Sequence, residues 1–116
     1  MATANISKRF CIVYITCPKI EVAESLAKML LEKRTIACAN VLPNVTSIYR
    51  WNGEIKQDPE VLMLKMIKTR QDKLCALKSI VEKEHPYDVP EIVSVPMQDG
   101  SDNYLQWLDS CLDDEK

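Results

Sequence analysis

Tyr49-Arg50-Trp51-Asn52-Gly53-Glu54-Ile55 is the stretch that decides the fold of this 116-residue chain. Asn-Gly is the strongest short-range signal for a β-hairpin, because a type I′ turn needs positive φ at both central residues. The flanking residues 36–51 and 54–69 are the two arms of this hairpin. We therefore predict a long hairpin in which Trp51 pairs with Glu54 across the turn.

Two prolines interrupt the hairpin at a similar distance from its turn. The predicted register places Pro43 opposite Leu62 and Pro59 opposite Thr46. Proline cannot donate a hydrogen bond to a strand ladder, so we expect bulges or edge positions there. The hairpin should change direction at that level.

The elements before and inside the hairpin follow from hydrophobic periodicity. Residues 10–16 form an apolar run with β-branched members and predict a buried strand. Residues 20–33 place small and aliphatic side chains at helical spacing, which predicts an amphipathic helix. Residues 61–67, rich in Leu and Met, predict a central strand at the inner end of the hairpin.

The elements after the hairpin are a helix, a short strand and a last helix. Thr69-Arg70-Gln71-Asp72 resembles a capping box that starts the second helix. Residues 91–97 predict an edge strand, and Ser101 caps the terminal helix. The buried stripe of the second helix consists of Leu74, Leu77 and Val81.

The element order is therefore βαββαβ with an extra C-terminal helix, the ferredoxin-like α+β arrangement. We expect a flexible N-terminal segment at residues 1–9, a single domain at residues 10–112 and an acidic tail at residues 113–116. In this arrangement the helices cover one face of the sheet, which leaves the other face open.

The hairpin is too long for a domain of this size. A straight strand from Cys38 to Trp51 spans about 45 Å at roughly 3.3 Å per residue, whereas a compact domain of this length is roughly 35 Å across. We expect the tip, with Tyr49, Trp51 and Ile55, to protrude and to add strands to a neighbouring subunit in a closed oligomer. The alternative is a hairpin folded back on its own sheet.

Composition excludes several classes of function. The net charge is −2 with both signs interleaved, so no basic face is available for nucleic acid. No apolar stretch is long enough to cross a bilayer. An odd number of cysteines without a CxxC spacing argues for a reducing compartment, so we predict a cytoplasmic protein. The five cysteines are Cys11, Cys17, Cys38, Cys75 and Cys111.

His85-Pro86-Tyr87-Asp88-Val89-Pro90-Glu91 gathers the only histidine, two prolines, an aromatic side chain and acidic side chains into one connection. Each proline fixes its own φ and pushes the preceding residue towards extended geometry, so this loop should be stiff. A stiff loop can position side chains for a site. The alternative is that the prolines only end a helix and begin a strand, with Tyr87 as a packing lid.

Several stretches in the same order resemble the CutA family, the divalent-cation tolerance proteins. The resemblance covers about residues 10–112 and implies a ferredoxin-like protomer in a tight homotrimer, similar to the trimeric PII signalling proteins. It also implies a link with tolerance to copper and other divalent metals, without an established catalytic activity. Vertebrate relatives have been associated with acetylcholinesterase anchoring. The stretches are Cys38-Ala39-Asn40-Val41-Leu42-Pro43, Ser47-Ile48-Tyr49-Arg50-Trp51-Asn52-Gly53, Leu64-Lys65-Met66-Ile67-Lys68-Thr69, the His85–Glu91 loop and Tyr104-Leu105-Gln106-Trp107-Leu108.

A copper site suggested by this resemblance would use Cys17 at the end of the first strand with Glu84 and His85 at the end of the second helix. Thiolate and imidazole suit copper, and Cu(I) favours the sulfur. In bacterial members of the family that are considered copper binders, we expect a pair of histidines where Glu84 and His85 stand. This chain has Glu84 in place of one of them. The alternative is that a lone histidine and a lone cysteine are structural.

A second candidate site is a pocket between subunits for an anionic or zwitterionic small molecule. The alternative makes its aromatic side chains interface anchors, and makes Lys68 and Glu91 an ion pair that specifies the register of the trimer. The predicted pocket residues are Tyr49, Trp51, Lys68, His85, Tyr87 and Glu91, and the predicted trimer-interface residues are Tyr49, Trp51 and Ile55.

We therefore expect a non-enzymatic homotrimer linked to divalent-metal, and specifically copper, binding, tolerance or signalling. The sequence offers no activated nucleophile, no phosphate-cradling glycines and no dense metal motif. An interaction or anchoring scaffold without a physiological metal site is the first alternative. An enzyme with an inter-subunit pocket is the second.

Overall fold

The computed structural model describes residues 9–62 and 67–113. The predicted N-terminal segment at residues 1–9 and acidic tail at residues 113–116 lie almost entirely outside these ranges. The described strands are β1 (Phe10–Tyr14), β2 (Thr16–Cys17), β3 (Leu42–Trp51), β4 (Glu54–Leu62), β5 (Ile67–Arg70) and β6 (Val93–Pro96). The described α-helices are α1 (Ile20–Glu32), α2 (Leu74–Glu84) and α3 (Asp102–Leu112).

The hairpin of β3 and β4 has the predicted turn and register. Trp51 lies opposite Glu54, and the pairing continues regularly to Val45 opposite Glu60. Asn52 has a φ of 52° and Gly53 a φ of 80°. Positive φ at both central residues is the requirement of a type I′ turn, which explains why Asn-Gly sets the register.

The prolines of the hairpin have different consequences. The prediction that Pro59 lies opposite Thr46 is confirmed, but the prediction that Pro43 lies opposite Leu62 is wrong. The register shifts before Val45, so that Leu42 takes the position opposite Leu62. The shift is the bulge expected where a proline cannot donate to the ladder.

The first strand is interrupted at Ile15, so the strand predicted at residues 10–16 exists as two parts. β1 pairs with β5 and β6, whereas β2 pairs with β4, and all of these pairings are antiparallel. The strand segments therefore follow the spatial order β6, β1 with β2, β5 with β4, and β3. This is the order of the ferredoxin-like βαββαβ fold.

Helices α1 and α2 cover one face of this sheet. Alternate residues of β1 and the residue after it face the helices, so Cys11, Val13 and Ile15 are buried. The predicted helix at residues 20–33 is confirmed within one residue. In α2, Leu77 and Val81 are buried as predicted, while Leu74 is partly buried. The other buried members of this core are Cys17, Ala23, Leu26, Ala27, Leu30, Ile36 and Ile67.

The predicted capping box at Thr69–Asp72 is wrong. Thr69 belongs to β5, and its hydroxyl donates to the carbonyl of Thr35 at 2.6 Å. A 3₁₀ turn, Gln71–Lys73, leads into α2, and Arg70 precedes it without a side-chain cap. The tertiary contact of Thr69 with the segment after α1 therefore replaces the local cap.

Helix α3 is fixed to β5 by Arg70. Its guanidinium contacts Asp72 at 3.1 Å, Asp109 at 2.8 Å and Asp113 at 2.9 Å. Burial alone would lower the pKa of Arg70, but the hydrogen bonds to the three carboxylates raise it. Leu108 and Leu112 of the same helix are buried in a small apolar cluster with Ala37.

The described part of the chain is elongated, with extents of 51 × 29 × 23 Å. Its radius of gyration is 15.2 Å, against about 13 Å for a compact domain of this length. The hairpin tip exposes apolar side chains, with Ile48 67%, Ile55 71% and Trp51 45% accessible. Among the described helices, none is long and apolar enough to cross a membrane.

Candidate functional site

A cavity of about 590 Å³ lies between the hairpin and the loop that follows α2. The stiff loop predicted from its prolines contributes one wall, and the outer part of the hairpin contributes the other. The lining residues are Thr16, Ser47, Ile48, Tyr49, Trp51, Glu60, Pro86, Tyr87, Asp88, Val89 and Glu91.

The alternation of side chains in the hairpin explains why acidic and aromatic groups meet here. Ser47, Tyr49 and Trp51 share one face of β3, because side chains alternate along a strand. The register of β4 brings Asp58 and Glu60 to the same face. Glu60 is buried near the base of the hairpin, whereas Trp51 is half-exposed at the tip.

Two phenols donate hydrogen bonds to two carboxylates at the cavity. The Tyr87 hydroxyl donates to Glu60 Oε2 at 2.9 Å, and the Tyr49 hydroxyl donates to Asp58 Oδ2. Burial and the hydrogen bond to Glu60 raise the pKa of Tyr87. The hydrogen bond to Asp58 raises the pKa of Tyr49. Both phenols therefore remain donors at neutral pH.

His85 is buried and holds the loop in place. Its Nε2 lies 2.8 Å from the carbonyl oxygen of Thr16, and its Nδ1 accepts a hydrogen bond from the Tyr87 amide at 3.1 Å. An Nδ1 that accepts and an Nε2 that faces a carbonyl assign a neutral ring with the proton on Nε2. The ring also lies 4.8 Å from the Tyr87 ring. His85 therefore connects the loop to β2 and orients Tyr87.

The structure brings four of the six predicted pocket residues to the cavity, namely Tyr49, Trp51, Tyr87 and Glu91. His85 lies behind Tyr87 and does not line the cavity. Lys68 lies elsewhere, with its ammonium 5.8 Å from the centre of the Tyr104 ring. The pocket predicted between subunits stays a prediction, and within one chain the charged groups that line the cavity are acidic.

Sequence reasoning missed Glu60 and Asp88. A signal for Glu60 was present, because Asp58 and Glu60 alternate around Pro59 and share the face of Tyr49 in the predicted register. Asp88 stands in the loop quoted above, and no local pattern distinguishes it from a solvated loop carboxylate.

The three residues predicted to bind copper lie in different environments in the chain. Cys17 is buried. Burial, the larger cause, and the negative charge of Glu60, the smaller one, together raise the pKa of its thiol to about 11. Copper binds the thiolate, which this environment disfavours. Both nitrogens of His85 are engaged, and Glu84 is exposed. Within residues 9–62 and 67–113, no group of three His, Cys, Asp or Glu side chains is arranged to hold a metal ion.

Comparisons with known proteins point to one family over most of the chain. A family model described as CutA1 divalent ion tolerance protein matches residues 11–111. The divalent-cation tolerance protein CutA of Thermus thermophilus is 48% identical over 97 residues, which are 84% of this chain and 92% of that protein. The protein CutA homolog of Xenopus laevis is 46% identical and human protein CutA is 45% identical, each over 95 residues and 82% of this chain. The chain spans 62% of the length of the Xenopus laevis relative and 52% of the human one.

Solved structures show the same fold. CutA1 from Oryza sativa superposes with a TM-score of 0.87 at 34% identity, covering 96% of this chain and 100% of that one. The Thermus thermophilus protein gives 0.82 at 47% identity, covering 85% and 94%. The Archaeoglobus fulgidus protein, named as periplasmic, gives 0.86 at 36% identity, covering 90% and 99%. With the matching family model and a close relative covered over nearly its whole length, the chain belongs to the CutA1 divalent ion tolerance family.

Proposed function

We propose that this protein acts as a homotrimeric binding protein and not as an enzyme. The observation that carries the proposal is that the protruding hairpin tip exposes apolar side chains on both faces of a paired ribbon, with Ile48 and Ile55 on one face and Trp51 on the other. Such exposure on both faces of a ribbon favours contact with other subunits, and closed symmetry would cover both faces in every copy.

The uncovered face of the sheet supports the same proposal. Val93 and Val95 of β6 lie on the face opposite the helices, with 49% and 36% of their surfaces accessible. The half-exposed ring of Trp107 stacks on Tyr104 of α3 at a centroid distance of 5.6 Å. A trimer that packs these faces together would remove a second apolar surface from water.

Sedimentation equilibrium of the purified chain tests the assembly. The expected result is a single species of three chain masses that persists at micromolar protein concentration. A stable, folded monomer at that dilution would contradict the proposed trimer.

A binding role is favoured over catalysis by the state of the groups at the cavity. The phenols of Tyr49 and Tyr87 donate to carboxylates, and the buried thiol of Cys17 favours its neutral form. The pKa values of both phenols and of the thiol are raised, so none of these groups is activated as a nucleophile. We also propose a cytoplasmic location, which the odd number of cysteines without a CxxC spacing favours.

We propose that the bound metal is copper. This proposal rests on the family's description as divalent ion tolerance proteins. A copper site at Cys17, Glu84 and His85 would require deprotonation of a buried thiol and the loss of one hydrogen bond of His85. Titration with Cu(I) against a chromogenic competitor tests it in the wild type, Cys17→Ser and His85→Gln. A saturable site lost in both variants would support copper, and equal binding by all three proteins would remove these ligands.

An interaction scaffold is the remaining alternative. A scaffold without a metal or metabolite site predicts no ligand-dependent change in the melting temperature, because only a ligand that prefers the folded state raises it. An enzyme predicts turnover that is lost in Glu91→Gln while the trimer survives.

A further inference from the structure

The cavity has the size of a small-molecule site and an unusual charge. Its volume of about 590 Å³ falls within the range of roughly 300 to 1,000 Å³ typical of ligand pockets. The charged side chains that line it are Glu60, Asp88 and Glu91, and no Lys, Arg or His joins them among the described lining residues. Its aromatic rings are those of Tyr49, Trp51 and Tyr87.

Among the charged side chains of the cavity, Glu60 is the one whose negative charge is buried without a positively charged neighbour among the described residues. Only 7% of its surface is accessible, yet the sole hydrogen bond that its side chain receives from described residues comes from the neutral phenol of Tyr87. No ion pair to Glu60 is formed within residues 9–62 and 67–113. A buried carboxylate without a cationic partner costs several kcal/mol of solvation, which an arriving cation would offset.

Three kinds of occupant can be compared by chemistry. An anion would meet only like charges. A divalent metal would need converging ligands, and no group of three acidic, His or Cys side chains in the described ranges is arranged to hold one. An organic cation would neutralise a carboxylate and place its apolar part against aromatic rings, which attract cations through their quadrupoles.

We infer that this cavity binds a small organic cation of the ammonium or guanidinium class, with Glu60 as its ionic partner and Trp51 and Tyr87 against its carbon chain. The hydrogen bond from Tyr87 fixes one carboxylate oxygen of Glu60, and His85 fixes Tyr87. Asp88 and Glu91 stand exposed at the cavity and attract the cation from solvent. One chain supplies all the lining residues named here, and because Trp51 also stands at the proposed interface, the inference rests on a trimer that leaves this cavity open.

Calorimetric titration with 1,4-diaminobutane and butylguanidinium, at constant ionic strength, tests the inference directly. Butyrate and zinc chloride serve as anionic and metal probes of the same protein. Saturable binding of at least one organic cation, with neither butyrate nor zinc competing for it, is expected. Failure of both organic cations to bind at millimolar concentration, or equal binding of butyrate, would overturn the inference.

The two tryptophans of the chain report where the cation binds. Trp51 lines the cavity, whereas Trp107 stacks on Tyr104 of α3. In ¹⁵N-labelled protein, the indole resonance of Trp51 should shift saturably with added cation while that of Trp107 stays in place. Equal shifts of both indoles, or a shift of Trp107 alone, would show binding elsewhere and contradict the assignment.

Matched charge variants identify the ionic partner. Glu60→Gln should weaken cation binding at least about tenfold, because it removes a desolvated charge. Glu32→Gln removes the same charge from the exposed end of α1, outside the cavity, and should change binding by less than about twofold. Equal effects of the two variants would show that binding responds only to the net charge of the protein, and would overturn the assignment of Glu60 as the ionic partner.

A second pair of variants keeps the test decisive if Glu60→Gln fails to fold. Asp88→Asn and Glu91→Gln change exposed carboxylates, and each should weaken binding about threefold without altering the melting temperature of the free protein. Unchanged binding in both would contradict the acidic site. Sedimentation of each sample separates a loss of cation binding from a loss of assembly, so a failure of this inference can be told apart from a failure of the proposed trimer.

Discussion

At the scale of single residues, His85 shows how a candidate ligand becomes a structural residue. The histidine was conspicuous in sequence because it was the only one and stood in a proline-rich loop. In the fold, its two nitrogens contact the Thr16 carbonyl and the Tyr87 amide. Metal binding would have to break one of these hydrogen bonds, and each is worth about 1 kcal/mol of net stability.

Replacement of His85 should therefore act on stability. His85→Ala leaves a buried carbonyl and a loop amide without their partner, so we expect a loss of about 1 to 3 kcal/mol in the free energy of unfolding. Urea unfolding followed by circular dichroism measures it. Glu84→Ala, at the exposed neighbouring position, is the control and should change stability by less than about 0.5 kcal/mol. Equal stability of the two variants would show that the His85 contacts are not formed.

The buried thiols predict a loss of stability in alkali. The pKa of Cys11 and of Cys17 rises from 9.0 to about 11 in the fold, with burial as the largest cause. Below pH 9 both states are protonated and stability is complete. Between pH 9 and 11 the unfolded chain loses the proton first, so folding loses about 2 to 3 kcal/mol for each thiol.

Urea unfolding at a series of pH values checks this dependence. Cys17→Ala removes one of the two titrating thiols, so its free energy of unfolding should fall less steeply between pH 9 and 11 than that of the wild type. Identical slopes in the two proteins would show that the Cys17 thiol is not held neutral by burial.

At the scale of elements, the hairpin turn is determined locally. Both central residues have positive φ. Gly53, at 80°, adopts this conformation without strain because it has no side chain, whereas most other residues are strained there. An added Cβ at Gly53 would meet no atom within 4 Å, so any cost of substitution comes from the backbone conformation alone.

Gly53→Ala should consequently destabilise the protein by about 1 kcal/mol. Thermal unfolding of the variant against the wild type measures the effect. Asn52→Gly is the control, since glycine also accepts positive φ, and its cost should be within a few tenths of a kcal/mol. A Gly53→Ala protein as stable as wild type would mean that the type I′ turn does not form.

The second helix shows where local reasoning fails. Its predicted cap at Thr69 satisfied the spacing rule, but the hydroxyl of Thr69 bonds to Thr35, which is 34 residues away in sequence. Arg70 likewise joins β5 to α3 through Asp109 and Asp113. These contacts exist because the fold brings distant elements together, and no pattern within one element encodes them.

At the scale of the whole molecule, the exposed tip predicts a separation between folding and assembly. Trp51→Ala should leave the core of the protomer intact, because the side chain is half-exposed in the chain. Truncation of an aromatic anchor at an interface costs roughly 2 to 4 kcal/mol. Sedimentation at decreasing protein concentration should therefore reveal dissociation of the variant before that of the wild type.

Leu31→Ala provides the matched control for assembly. Leu31 is 41% exposed, similar to Trp51, but it lies on α1, away from the hairpin tip. Its substitution should leave the mass unchanged over the same range of concentrations. Dissociation of both variants alike, or of neither, would contradict an interface at the tip.

The sequence by itself determined the element order, the type I′ turn with its register and the family. These depend on neighbouring residues: alternation, helical spacing and the backbone needs of Asn52 and Gly53. Only the tertiary structure decided that the cavity is acidic, that both nitrogens of His85 are engaged and that Lys68 lies over the Tyr104 ring. Those facts depend on which strands and loops meet, because burial and electrostatic environment are set by groups that are close in space and far apart along the chain.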